Sequence, residues 1–344
     1  MNSSTDSAKM SSDDIQDLVI ESDSGARKPR GIAMYVLLGG ALLWSLFQLW
    51  IASPFPYVSF FSDTLGIPIF TSTYSRYIHL AFALTLAFVA YPATKRSPRG
   101  YVPALDWLFM LLSLISVLYL YFNRDTLALR SGMPTNFDIA ISVIGILMLI
   151  EAARRSLGPP LVIIASIFLF YTFAGSASFM PDIISHKGQS LSKVASHQWL
   201  STEGVFGVAI GVSADFVFLF VLFGALLERA GAGNYFIKLA FSIMGHLRGG
   251  PAKAAVLASA MTGLISGSSI ANVVTTGTFT IPLMRKVGFS REQAGAVEVA
   301  SSVNGQIMPP VMGAAAFLMV EYVGISYVEV VKAAFIPADR KSVV

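Results

Sequence analysis

Cysteine is absent from all 344 residues, which excludes disulfides, thiolate catalysis and Cys-based metal sites. Charge is also scarce: Asp, Glu, Lys and Arg make up 13% of the chain, against 54% hydrophobic residues. A soluble domain carries about a quarter charged residues, so this composition describes a polytopic membrane protein. The mean hydropathy of +0.66 agrees. Histidine occurs only at 79, 186, 197 and 246, and no HExxH is present. G-S-S-I at 267–270 lacks the following Gly of a G-x-S-x-G elbow. An intramembrane hydrolase therefore has little to build on. The formal charge of +4 sits in short basic clusters at the ends of apolar runs. That is a topology signal and not a nucleic-acid patch.

Residues 1–30 open with Ser and Asp and few aromatics, and are expected to be a disordered cytoplasmic tail. Apolar runs follow at about 31–52, 74–93, 103–122, 138–152 and 159–180. Most approach the roughly 20 residues that cross a hydrocarbon core. The fourth is short and extends to include Phe137 and residues past Glu151. Arg27, Lys28 and Arg30, then Lys95, Arg96 and Arg99, then Arg154 and Arg155 alternate with near-neutral loops around Asp63 and 124–138. The positive-inside rule places the N-terminus and the 94–102 and 153–158 loops in the cytoplasm. Residues 181–203 read as a polar outer loop, and 231–250 as a short helix at the cytoplasmic face, with His246 interfacial. His79 is expected at an interface or packed against a neighbouring helix. In the apolar run 204–230, Asp215 is either an intramembrane functional carboxylate or a first-turn residue of a helix capped by Ser213. Gly207 and Gly211 read as a close-packing pair.

Residues 252–310 organise the chain. T-G-L-I-S-G-S-S-I-A-N at 262–272 lies within a membrane-length segment, yet lipid-facing helices have little use for such residues. A single helix over 252–282 would be about 46 Å long against a core of about 30 Å. Arg248 and Lys253 precede it and Arg285, Lys286 and Arg291 follow, so both ends belong on one side. The spacing predicts a re-entrant hairpin of two half-membrane helices, with its tip near 266–272. A Gly-Ser tip offers hard oxygen ligands suited to Na⁺. The returning helix aims a positive dipole end at an anion. A second break is predicted at N-G-Q-I-M-P-P, 304–310, inside a broken helix over about 290–321. There Gly305 supplies backbone freedom and Asn304 and Gln306 supply amides. Glu298 reads as a packing or salt-bridge group or as a proton carrier, and the pattern does not choose. Facing breaks of this kind make a transporter site; a non-transporting membrane scaffold suits 31–157 but not the breaks.

These residues resemble the membrane component of tripartite ATP-independent periplasmic (TRAP) transporters, in particular fused permeases that work with TAXI-class binding proteins. The likeness rests on F-L-F-V-L-F-G-A-L-L-E-R-A-G-A-G, G-H-L-R-G-G-P-A-K, I-S-G-S-S-I-A-N-V-V-T-T-G-T-F-T-I-P-L-M, A-G-A-V-E and G-Q-I-M-P-P-V-M-G-A-A-A-F. The resemblance implies an all-α polytopic membrane protein: a four-helix small-subunit bundle over 31–157, then, over 158–337, the first inverted repeat of an ion-transporter-type permease. It implies a bacterial inner-membrane protein, not an enzyme and without a cofactor. Na⁺ would be the coupling ion, and a periplasmic TAXI-type binding protein would deliver a small organic acid. Carried over, the cation site would comprise Ser266, Ser268, Ser269 and Asn272 with Gly305, Met308 and Pro310, several through carbonyls. Gly267, Thr275, Thr276, Asn304 and Gln306 would line the substrate pathway. The family continues into a second repeat where this chain stops. Residues 338–344, ending D-R-K-S-V-V, are expected to be a non-native end of a truncated gene, and the fragment alone is expected not to transport.

Overall fold

The structure, a computed structural model, describes residues 26–343 except 28, 59, 61–65, 67–68, 95 and 179. The tail up to residue 25, Lys28, Asp63, Lys95 and Val344 thus lie outside the described residues. Among the described residues the regular structure is helical, with no strand. Helices α1 (Ile32–Ala52), α3 (Ala104–Leu129), α4 (Asn136–Leu157) and α7 (Val208–Arg229) are long and apolar enough to cross a membrane. The chain is an all-α polytopic membrane protein. It divides into two compact units, 26–215 and 216–343, with the division inside α7.

In the first unit α2 (Ser72–Ala90) presents Tyr77, Leu80, Leu84 and Phe88 at helical spacing. They pack with Val117 and Leu120 of α3, Trp199 and Phe206 into the main core. α4 starts with a capping box, Thr135 N–H donating to Asp138 Oδ2 at 2.8 Å and Asp138 N–H to Thr135 Oγ1 at 3.3 Å, which satisfies two end donors. Pro159 opens α5 (Pro159–Ala174), where a missing N–H costs nothing.

Three expectations need correction here. The stretch 181–203 is not simply a polar loop: α6 (Leu191–Ala195) continues as a π-helical turn over Ser196–Leu200. Its Trp199 is fully buried. The indole lies on Gly145 of α4, where an added Cβ would fall 2.2 Å from the ring. Ser196, His197, Gln198 and Ser201 around it hide this anchor in the sequence. Ser213 does not cap a helix either. α7 starts five residues earlier at Val208, and Ser213 Oγ instead lies 3.1 Å from His79 Nε2. Asp215 is exposed, within a π-helical turn of α7 and not in its first turn. Finally, Gly211 makes room for a side chain and not for a helix: an added Cβ would meet the Arg76 guanidinium at 2.8 Å. That guanidinium donates to the Phe206 and Gly207 carbonyls at 3.1 and 3.3 Å.

His79 is packed, as one of its two readings expected. Trp44 Nε1–H donates to its Nδ1 at 3.2 Å, which makes Nδ1 an acceptor and leaves the proton on Nε2 to reach Ser213. The arginines read as topology markers are also structural. Asp106 accepts from Arg27 at 2.6 Å and from Arg155 at 2.8 Å. Glu151 accepts from Arg155 and Arg154, each at 2.7 Å. The Arg155 guanidinium also stacks over Phe88, 5.0 Å from the ring centre. Asp106, Arg27 and Arg155 are almost fully buried, so removing one partner strands the other charges. Asp106→Ala is expected to destabilise the protein by about 3–5 kcal/mol, read as a lowered unfolding midpoint. An unchanged midpoint would remove this cluster from the fold's foundations.

The second unit contains the rest of α7, then α8 (Ala232–Met244), α9 (Gly250–Ser266), α10 (Ser269–Lys286), α11 (Arg291–Ser302), a 3₁₀ turn (Val303–Gln306), α12 (Ala314–Val323) and α13 (Tyr327–Val343). His246, after α8, is exposed. Ala240 of α8 packs on Ala258 of α9, and Ala255 of α9 and Ala294 of α11 pack around Met284 of α10, all fully buried.

Candidate functional site

α9 and α10 form a hairpin, and the turn takes two residues. Gly267 ends α9 in the left-handed region, φ 59°, a conformation that favours glycine. Ser268 then caps α10, its Oγ accepting from Ala271 N–H at 3.3 Å. Ser266 Oγ closes the turn, donating to the Ser268 carbonyl at 2.9 Å and accepting from Ser268 N–H at 3.1 Å. The predicted tip at 266–272 is therefore narrower, since 269–272 is already helical. The arms have 17 and 18 residues, each about 26 Å long. Both are longer than the expected half-membrane helices, even without the basic residues at their outer ends.

The tip sits on the second break. After α11 the chain makes the 3₁₀ turn and then stays non-helical until Ala314, through a cis Pro309–Pro310 peptide. The break is longer than the proline pair alone suggests. An added Cβ on Gly267 would approach the Val311 and Met312 carbonyls to 3.0 and 3.2 Å. One on Gly263 would lie 2.8 Å from Gly305 Cα. Gly305 has no positive φ, so its role is close approach and not the conformational freedom expected of it. Asn272 fills the gap between tip and break, with its Nδ2 3.0 Å from where a Gly305 Cβ would be. Nδ2 donates to Ser259 O at 2.9 Å and Ser259 Oγ at 3.0 Å. Asn272 Oδ1 is buried and makes no hydrogen bond.

Beside this contact lies a carboxylate. Glu298 of α11 is fully buried and accepts from the hydroxyls of Thr276 and Thr280 and from Ser302 at 3.2 Å. Gly277 gives it room, since a Cβ there would be 3.1 Å from Glu298 Cγ. No ion pair to Glu298 exists among the described residues, so the salt-bridge reading does not hold. Its partners are the hydroxyls of α10 and of its own helix.

A family model described as "Tripartite ATP-independent periplasmic transporter, DctM component" matches residues 144–339, more than half of the chain. The chain belongs to this family. The C4-dicarboxylate TRAP transporter large permease DctM of Rhodobacter capsulatus is 35% identical over 91 residues, 26% of this chain and 21% of that one. Its Vibrio cholerae counterpart is 30% identical over 128 residues, 37% of this chain and 27% of that one. The ectoine TRAP transporter large permease TeaC of Halomonas elongata is 30% identical over 95 residues, 28% and 22% of the two chains. The matched region spans about a quarter of the length of these relatives. No solved structure matches. The family is one of permeases and not of enzymes.

The residues expected at the cation site divide. Ser266, Ser268, Asn272 and Gly305 lie at the contact between tip and break, and Met308 Cβ lies 3.5 Å from where a Gly263 Cβ would be. Among the described residues, no side-chain hydrogen bond involves Ser269. The Pro310 carbonyl accepts from the Tyr327 hydroxyl, which occupies one of its lone pairs. The expected pathway residues separate too. Gly267 is at the tip. Thr275 lines a cavity of about 160 Å³ with Gly224, Glu228, Thr262 and Ser266, whereas Thr276 turns inward to Glu298. Asn304 Nδ2 donates to Ala338 O at 2.7 Å, and Gln306 is exposed.

Sequence reading missed the Glu298 cage. Its signal was a polar stripe: Asn272, Thr276 and Thr280 at i, i+4 and i+8, facing Glu298 and Ser302 at i and i+4. The glycine contact is directly testable. Gly263→Ala would push backbone against backbone and is expected to destabilise the second unit by about 1–3 kcal/mol. Gly295→Ala, where an added Cβ meets nothing within 4 Å, is expected to be neutral or to stabilise by up to about 1 kcal/mol. Equal thermal shifts for both variants would show that tip and break do not touch.

Proposed function

We propose that the chain is the permease component of a Na⁺-coupled secondary transporter that imports organic acids delivered by a periplasmic TAXI-type binding protein. Residues 31–157 would act as the small subunit, fused ahead of the first half of the large one, in a bacterial inner membrane with a cytoplasmic N-terminus. Family membership supports the transport reading. Relatives named for C4-dicarboxylate and for ectoine support a class of small organic acids and not one compound.

The sodium reading rests on one observation: a buried amide oxygen, Asn272 Oδ1, left without a hydrogen bond where two breaks in helical backbone meet. Burying such an acceptor unpaired costs about 1–3 kcal/mol, and a hard cation is a ligand that would repay it. The donor set fits Na⁺: the amide oxygen, the Ser266 and Ser268 oxygens, and backbone carbonyls of the 305–310 break. The positive end of α10 also faces this turn, so an anionic substrate group would be favoured there.

Na⁺ is expected to raise the melting temperature of the purified full chain by several degrees, at equal ionic strength, where K⁺ or choline does not. The size follows from about 2.7 kcal/mol at a hundredfold excess over Kd. Asn272→Ala should remove most of the Na⁺ increment. Equal stabilisation by Na⁺ and K⁺ would overturn the sodium site.

A further inference from the structure

The Glu298 cage is assigned no role by the sodium reading. Its carboxylate sits among three hydroxyls, those of Thr276, Thr280 and Ser302, on two helices. Among the described side chains, the charged ones on the elements packed around it are Lys253 on α9, Arg285 and Lys286 on α10, and Glu329 and Lys332 on α13. Arg291 and Glu292 lie on its own helix. All of these are exposed, and none touches it. A buried carboxylate with no cation to compensate it costs several kcal/mol if ionised. It is stable there as the acid or with a cation against it. The hydroxyls are already in hydrogen-bond contact with the carboxyl, and Gly277 closes in on its stem. A metal ion would need space that these contacts fill, whereas a proton needs none.

The cage is also connected to the tip. Asn272 Nδ2 donates to Ser259 Oγ at 3.0 Å, Ser259 Oγ lies 3.0 Å from Ser302 Oγ, and Ser302 Oγ donates to Glu298. Each hydroxyl has one proton; Ser302 gives its own to Glu298, so the proton between the two serines comes from Ser259, which accepts from Asn272. Charge on Glu298 is thus felt at Asn272 through a chain of aligned dipoles.

We propose that Glu298 is an exchangeable-proton site, caged by Thr276, Thr280 and Ser302, whose loading is coupled through Ser302 and Ser259 to cation occupancy at Asn272. Protonation adds H⁺ from hydronium to one carboxylate oxygen and releases water; unloading reverses this, and no other bond changes. An ionised Glu298 places a negative charge behind the tip and favours a cation there; the acid form does not. By linkage, a cation at the tip must loosen the proton by the same factor. The coupling rests on the sodium reading above, but the proton site does not.

Infrared spectroscopy of the purified full chain in lipid bilayers, without Na⁺, separates the two. Near neutral pH the wild type is expected to show a carboxylic-acid C=O stretch that Glu298→Gln lacks and that disappears reversibly as pH is raised. Thr276→Val should shift the band without abolishing it. If Glu298→Gln does not fold, Glu298→Asp should move the pH at which the band disappears. No acid band at any pH, or one that persists unchanged until the protein unfolds, would overturn the proton site. Added Na⁺ is expected to move the titration to lower pH, and Asn272→Ala to cancel that shift. A titration unmoved by Na⁺, in a chain that Na⁺ stabilises, would overturn the coupling. If Na⁺ fails to stabilise while the band titrates, the sodium reading fails and the proton site stands.

Discussion

Backbone that leaves helical geometry between apolar segments must find partners for its N–H and C=O groups inside the protein, because hydrocarbon offers none. Two stretches here face that demand, the Gly267–Ser268 turn and the 303–313 break, and they meet it largely by local means. At the turn, the Ser266 hydroxyl both donates to and accepts from Ser268. In the break, Ile307 N–H reaches Asn304 O at 3.0 Å and Gly313 N–H reaches Gln306 O at 2.8 Å. The Tyr327 hydroxyl serves the Pro310 carbonyl. Asn272 Oδ1, one turn into α10 beside these stretches, is a buried acceptor that makes no hydrogen bond.

Glycine sets the distance at which the two stretches meet. Gly263 against Gly305, and Gly267 against the Val311 and Met312 carbonyls, are backbone contacts that a single methyl would disrupt. Without a hydrophobic driving force between helices in lipid, association depends on close packing and interhelical hydrogen bonds. The second unit uses both. Alanines seat α9 against its neighbours, and the chain from Asn272 through Ser259 and Ser302 to Glu298 then ties α9, α10 and α11 together. Phe317 and Tyr327, stacked with centroids 4.9 Å apart, hold α12 against α13 on the far side of the break. The Tyr327 hydroxyl can reach Pro310 because that ring is fixed.

Much of this was legible in the residues. Basic flanks on both sides of 252–282, a Gly-Ser centre and a proline pair 40 residues on gave the hairpin and the break, because each is a local rule violated inside an apolar run. The bounds of α1 and α4 follow from run length and, for α4, from the Thr135 capping box. What was not legible is pairwise. Trp199 looks like one aromatic in a polar loop until Gly145 opens a groove for it. Ser213 looks like a cap until His79 takes its hydroxyl. Gly211 matches a helix-packing motif by spacing, yet it serves Arg76. Each depends on a partner more than 50 residues away, about which periodicity along one segment carries no information.

Glu298 shows the same limit and how far it can be pushed. Taken alone, a glutamate in an amphipathic helix is ambiguous. Set beside α10, the spacing of Asn272, Thr276 and Thr280 defines one polar face, and a polar face inside a membrane-length segment needs something to address. Thr275 is one residue from Thr276 but about 100° away around the helix, so it belongs to a different environment, the cavity that also contains Glu228. α10 is therefore polar on two faces, separated by its own backbone. A solute in that cavity can reach Ser266 and Thr275, which line it, whereas Asn272, Ser259, Ser302 and Glu298 do not line it. The two carboxylates of this region are thus kept on opposite sides of one helix, one exposed and one buried, and the tip is the place where both sides meet.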